Sequence, residues 1–233
     1  MQILTVLAVL LIAYLIGSIP FGWIIVKLAT GRDIRDVESG RTGGTNAWRA
    51  AGLLAGFLTG VLDVLKGAAT VWIVRWLIPA STPFFHWIEV AAPLVAILGH
   101  NYSIYLLERR EDNGKVRLRG GAGGATCLGG AMGLWTPAIL YILPLGVIIY
   151  LVIGYASVTT MSVAFFATII FLVRAIQGSS PWVYVLYGII AEAMLIWALR
   201  PNIQRLREGN ERLHGLRVWL KKRSADKGAE KSS

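Results

Sequence analysis

Between Leu4 and Ile25 the chain carries no charged residue, and this is only the first of several such stretches. A helix satisfies its own backbone hydrogen bonds, so about 20 apolar residues suffice to cross roughly 30 Å of hydrocarbon. The stretch outlasts the apolar region of a secretory signal and runs into a basic loop with no small-residue cleavage site, so we expect a retained first helix. Composition agrees: 55% of the 233 residues are hydrophobic and 15% charged, against about 45–50% and 25% in ordinary globular domains. A water-soluble domain is excluded.

A formal net charge of +10 would, in a soluble chain, raise nucleic-acid binding; its distribution argues against that. Of 23 Lys and Arg, four (Arg32, Arg35, Arg41, Arg49) follow the first apolar stretch, five (Arg109, Arg110, Lys115, Arg117, Arg119) follow the third, and ten lie from Arg200 onward. By the positive-inside rule these segments face the cytoplasm, where anionic headgroups attract them. Membrane lipids are the expected surroundings, and nucleic acid is not an expected partner. The single Cys127 excludes an intramolecular disulfide.

Placing all three basic segments inside fixes the parity of the crossings. The second apolar stretch runs from about Ala51 to Pro79 and the third from about Phe85 to Leu107. Between Arg119 and Arg200 only Arg174 is basic, and four further crossings near 121–136, 138–154, 157–176 and 181–199 fit the length, with breaks at glycine and proline. The expectation is an all-α polytopic membrane protein of about seven transmembrane helices, N-terminus outside and C-terminus cytoplasmic. One domain should span 1–207, and 208–233 should form a basic cytoplasmic tail leaving the membrane as a helix.

Three constellations lie where basic segments meet helices. The loop from Ser39 to Arg49 interleaves glycines and hydroxyls with Arg41 and Arg49; glycine lets backbone N–H groups approach an anion and Arg supplies a fork of donors. An ordinary basic loop is the equal alternative. Arg119-Gly120-Gly121-Ala122-Gly123-Gly124-Ala125-Thr126 opens a helix, where amides and dipole favour phosphate, although small residues also serve helix packing. Arg200-Pro201-Asn202, continuing through Arg205 to Gly209 and Glu211, reads as an interfacial anchor with Pro201 in the first turn of a new surface helix. Within the membrane, Asp63 and Lys66 share one helix face and either neutralise each other or meet substrate. His100, beside Asn101, is a proton carrier or an interhelical hydrogen-bonding residue.

Taken in order, these pieces resemble the bacterial acyl-phosphate:glycerol-3-phosphate acyltransferase family: Ser39 to Arg49, Asp63 to Gly67, Gly99-His100-Asn101, the glycine turn ending at Thr126, and Asn202 to Glu211. The resemblance implies acyl transfer from acyl phosphate to the 1-hydroxyl of sn-glycerol 3-phosphate, forming lysophosphatidate in a bacterial plasma membrane, with no cofactor and no metal. By carry-over, Ser39, Arg49, His100 and Asn202 fall on catalytic positions. Thr45, Asn46, Lys66, Arg119, Gly120, Gly121, Gly123, Gly124, Thr126 and Arg205 are expected to bind substrate, with Asp63 and Glu211 structural, and Arg41 is expected to bind substrate from a position outside the family's pattern. No Ser-His-Asp pattern appears, which favours direct transfer.

The chain departs from the family's pattern in four places, the first being Arg41 and Thr42, which stand where the family has Asn and often Pro. Ala122 stands at a lysine position, Leu199 at a histidine position, and Glu108 to Arg119 is an insertion whose Asn-Gly core reads as a hairpin turn. Arg41, Lys115, Arg117 or Arg119 could return a cation to the phosphate site. A paralogue with another substrate or no catalysis, or a small transporter or lipid-binding protein, are the alternatives.

Overall fold

The computed structural model describes residues 2–109 and 116–214. Its described residues form nine α-helices: α1 Gln2–Ser18, α2 Phe21–Thr30, α3 Gly44–Ala51, α4 Leu53–Leu77, α5 Phe85–Asn101, α6 Gly124–Leu134, α7 Ala138–Val152, α8 Ala156–Ile176 and α9 Val183–Arg207. One antiparallel hairpin, β1 Leu107–Arg109 with β2 Val116–Leu118, interrupts the all-α chain. It falls in the expected insertion, and its turn lies outside the described residues.

Ionisable side chains lie inside the bundle and large apolar ones cover its outside. Asp63, Lys66, Glu89, His100, Asn101 and Thr126 are buried, whereas Phe57, Trp76, Leu140, Ile148, Phe165 and Trp197 are exposed. That inversion places hydrocarbon rather than water around the helices. α1 with α2, α4, α8 and α9 are long and apolar enough to cross a bilayer, and the chain is an all-α integral membrane protein.

Prolines account for two departures from expectation. The first apolar stretch is not one continuous helix over Leu4–Ile25, because Pro20 has no N–H to extend it and disfavours helical backbone at Ile19. At the break the Ile19 carbonyl accepts from Phe21 N–H at 3.1 Å and from Lys66 Nζ at 2.8 Å. At Pro201 the outcome is the reverse: no new surface helix starts there, and α9 runs through the proline to Arg207. The Trp197 carbonyl, deprived of its usual N–H partner four residues on, accepts instead from Arg200 Nε at 3.1 Å, and the guanidinium lies over the Trp197 ring. The chain beyond α9 also differs. After Gly209, in left-handed backbone, the described residues 210–214 double back without helix, and the rest of the expected tail, 215–233, lies outside the described residues.

The third apolar stretch ends its helix at Asn101, short of Leu107. Ser103 N–H donates to Arg119 O at 3.1 Å and Arg119 N–H to Leu106 O at 3.3 Å, so the hairpin stalk takes over the backbone pairing. At the core, every residue of α6 from Thr126 to Leu134 is buried. Its small residues let α4 approach closely: a Cβ at Gly67 would overlap the Thr126 carbonyl oxygen.

At the end of the bundle away from the hairpin, Glu89 is buried and fully engaged. It accepts from Arg75 Nε (2.7 Å) and Tyr184 Oη (2.7 Å) and faces His86 Nδ1 (2.7 Å). Arg75 also donates to the Gly133 and Leu134 carbonyls, closing the C-terminus of α6, where a cation is favoured. The sequence reading had not singled out Arg75, Glu89 or the part-buried Glu192 among the intramembrane ionisable groups.

Candidate active site

The first basic loop is built before it binds anything. Asp33 accepts from Arg35 N–H, Arg35 Nε and Trp23 Nε1, and the Arg35 hydrogen bonds hold its carboxyl well below the usual range. Asn46 Nδ2 donates to the Ile34, Val37 and Arg41 carbonyls at 3.2, 2.9 and 2.9 Å. Asn46 therefore folds the loop over the start of α3. Glu108 joins this loop to the hairpin, pairing with Arg35 Nη1 at 3.1 Å and Arg119 Nε at 2.7 Å.

Between this loop and the ends of α5, α6, α8 and α9 lies a cavity of about 290 Å³. Three helix N-termini border it: Gly43 to Thr45 at α3, Gly123 to Ala125 at α6, and Ala156 with Ser157 at α8. Amides and dipoles at such ends favour an anion. Arg41, Arg49, Arg205 and Arg212 add cations. Among the lining carboxylates, Asp63 is paired with Lys66 at 2.8 Å and Glu38 with Arg212.

Arg41 occupies the centre of the wall. Nη1 donates to Gly121 O at 3.2 Å, while Nη2 reaches Ala198 O and, at 3.4 Å, Asn202 Oδ1. One guanidinium thus ties the glycine turn to the end of α9, next to Ala122 and Leu199, which line the same cavity. Burial, reinforced by Arg205, pushes its pKa down, but a guanidinium remains charged. The cations expected from the hairpin are placed otherwise: Arg119 is held by Glu108, Arg117 does not line the cavity, and Lys115 lies outside the described residues.

Ser39, Arg41, Thr45, Asn46, Arg49, Asp63, His100, Gly123, Gly124, Asn202, Arg205 and Glu211 all line the cavity. Lys66, Arg119, Gly120, Gly121 and Thr126 stand behind its wall. Lys66 backs Asp63, whose carboxylate lies 3.6 Å from His100 Nδ1. Gly120 O accepts from Thr42 N–H and Gly121 N–H donates to His100 O, and a Cβ at Gly121 would overlap the His100 ring. These two glycines seat the imidazole rather than face the cavity. Glu211 accepts from Ser157 Oγ at 2.6 Å and Asn202 Nδ2 at 3.3 Å.

Glu38, Ser157, Thr160, Arg212 and His214 also line the cavity and went unread in the sequence. The α8 residues look like an ordinary helix start, and Arg212 and His214 look like tail. His214 is hydrogen-bonded from Arg49 Nη2 and brings the cavity an imidazole besides that of His100.

A basic cavity fed by three helix N-termini, at the end of a lipid-facing bundle, defines a membrane protein that handles a phosphorylated, water-accessible molecule beside the bilayer. Residues 7–209 match the family described as Glycerol-3-phosphate acyltransferase, and the chain belongs to that family. A glycerol-3-phosphate acyltransferase of Thermus thermophilus is 34% identical over 209 residues, covering 90% of this chain and 95% of the relative. One of Rubrobacter xylanophilus is 37% identical over 212 residues, covering 91% and 96%. Among solved structures, the glycerol 3-phosphate form of PlsY (YgiH), an integral membrane glycerol 3-phosphate acyltransferase, aligns with TM-score 0.74 at 30% identity, covering 92% of this chain and 98% of that one. Its lysophosphatidic acid form aligns with TM-score 0.72 at 30% identity, covering 90% and 95%.

Proposed function

We propose that this enzyme transfers an acyl group from acyl phosphate to the 1-hydroxyl of sn-glycerol 3-phosphate, forming lysophosphatidate and inorganic phosphate in a bacterial membrane. The observation that carries the reading is the convergence of Arg41, Arg49 and three helix N-termini on one cavity, in a chain whose relatives are named for this acceptor. Both substrates carry phosphate, and the cavity offers donors for two anions. The hydroxyl oxygen bonds to the acyl carbon, the carbon–oxygen bond to phosphate breaks, and the hydroxyl proton ends on the departing phosphate. Since phosphate is already a good leaving group, orientation and charge stabilisation supply most of the catalysis.

In this assignment Arg49, with Ser39 and Thr45, holds one phosphate. Arg41 takes the part of the absent lysine and histidine between the glycine turn and Asn202, and the amides at Gly123 and Gly124 receive the other anion. His100 and Asn202 orient the reacting groups, with Asp63 and Lys66 fixing His100 from behind. Arg205 sits at the mouth.

Which residues meet supports a topology. α4 runs from the cavity to Arg75, α5 returns from Glu89 to His100, α6 leaves again to Leu134, and α7, α8 and α9 repeat the alternation. With α1 and α2 counted as one pass, this supports seven passes, N-terminus outside. The described residues of the basic segments gather at the cavity end, which the positive-inside rule assigns to the cytoplasm. The passes form one acyltransferase domain over 1–207, followed by a basic segment on the same side as the cavity.

Purified protein supplied with acyl phosphate and glycerol 3-phosphate should release phosphate and form lysophosphatidate, and Arg49→Ala should abolish both. Failure of the wild type in an assay where the Thermus enzyme works would overturn the reading. An acyl group trapped on Ser39 would overturn direct transfer.

A further inference from the structure

The segment that doubles back after α9 begins where the family match stops, at residue 209, and closes one side of the cavity. Asn210 and Glu211 N–H both reach Arg205 O. Leu213 bridges to Tyr155, and His214 N–H donates to Gly154 O at 2.7 Å. Gly154 is in left-handed backbone, and a Cβ there would stand 2.6 Å from His214 O, so the docking site requires glycine.

The dock delivers His214 to one place. Its ring stacks on Tyr150 of α7, centroids 5.5 Å apart and planes at 16°, while Nε2 meets Arg49 Nη2 of α3. A guanidinium offers only donors, so Nε2 must be the acceptor and the ring proton sits on Nδ1. We infer that His214 is a positioning residue for the acyl transfer, its neutral imidazole holding the Arg49 guanidinium in the orientation that receives the glycerol 3-phosphate phosphate. This rests on the reaction proposed above.

The charged and titratable groups facing His214 are Arg49 from α3, Tyr150 from α7, and Glu211 and Arg212 from its own segment, Arg212 being paired with Glu38. Burial first, then Arg49, pushes the His214 pKa below its ordinary value, with Glu211 opposing and Arg212 assisting. The imidazole is therefore an acceptor at neutral pH. Once protonated in acid, it would present N–H to Arg49 and repel it.

The test is a KM and pH profile of three proteins. His214→Ala should raise the KM for glycerol 3-phosphate about tenfold, as loss of a charged hydrogen bond predicts, with a smaller change in kcat. His214→Gln, whose amide oxygen replaces the Nε2 acceptor without titrating, should recover that KM and lose the acid-side rise in KM seen in the wild type. A wild-type KM and profile in His214→Ala, or equal damage in Ala and Gln, would overturn the inference. A readout independent of turnover separates it from the proposed reaction: in NMR titrations, Arg49→Ala should raise the His214 pKa. An unmoved value would overturn the contact itself, whatever the enzyme acylates.

Discussion

Lys66 Nζ donates to the Ile19 carbonyl oxygen at 2.8 Å and pairs with Asp63 Oδ1 at 2.8 Å, so one buried ammonium closes a broken helix and neutralises a buried carboxylate. Removing one partner of such a pair leaves an unpaired charge, at a cost of about 3–5 kcal/mol. Lys66→Met should lower the thermal stability in detergent accordingly. The double variant with Asp63→Asn should recover part of the loss, and a double variant no more stable than Lys66→Met would show that the carboxylate is not what Lys66 compensates.

Arg41 should matter more to turnover than to fold. Losing a charged hydrogen bond of about 1.5–3 kcal/mol predicts a 10- to 100-fold lower kcat/KM in Arg41→Ala, measured by phosphate release. Arg41→Lys should recover only part, since a single ammonium cannot span Gly121 O, Ala198 O and Asn202 together. Unchanged kinetics in Arg41→Ala would remove Arg41 from the site.

Two glycine replacements should have opposite effects. In Gly67→Ala the added methyl meets the Thr126 carbonyl, backbone that cannot swing aside, and α4 must part from α6; loss of folded protein on size-exclusion chromatography is expected. At Gly146 in α7 nothing lies within 4 Å of the added Cβ, and Gly146→Ala should raise stability by about 1 kcal/mol through helix propensity.

The first loop should depend on pH through Asp33. Its folded-state pKa is depressed by the Arg35 hydrogen bonds, so the stabilisation is fully present above the ordinary carboxylate value near 4 and is lost as pH falls through the lower folded value. Asp33→Asn should cost about 1.5 kcal/mol at pH 7. Thermal melts should show the two proteins converging only below about pH 4; a constant difference at lower pH would assign the loss to packing.

Much of this was legible in sequence because apolar length and glycine-rich spacing are local signals. The stretches near 138–154 and 157–176 became α7 and α8 with bounds close to those expected, and the residues from Ser39 to Arg49 and from Asn202 to Glu211 did come together. What stayed hidden depends on partners far along the chain. Pro20 and Pro201 look alike as helix breakers, but Lys66 caps the break at one and Arg200 bridges the other. Glu89 went unread because Arg75 and Tyr184, which hold it, come from other helices. His214 carries no motif, and only the turn at Gly209 brings it to Arg49.

α6 has consequences for how the enzyme lives in its bilayer. From Thr126 to Leu134 each of its residues is covered by other helices, so its outer contacts are protein throughout. When acyl chains lengthen or a membrane stiffens in the cold, the lipid-facing helices can tilt to follow, but the turn at Gly123 is mounted on a post that hydrocarbon never touches. The turn is thereby mechanically insulated from the very lipids whose synthesis the enzyme begins.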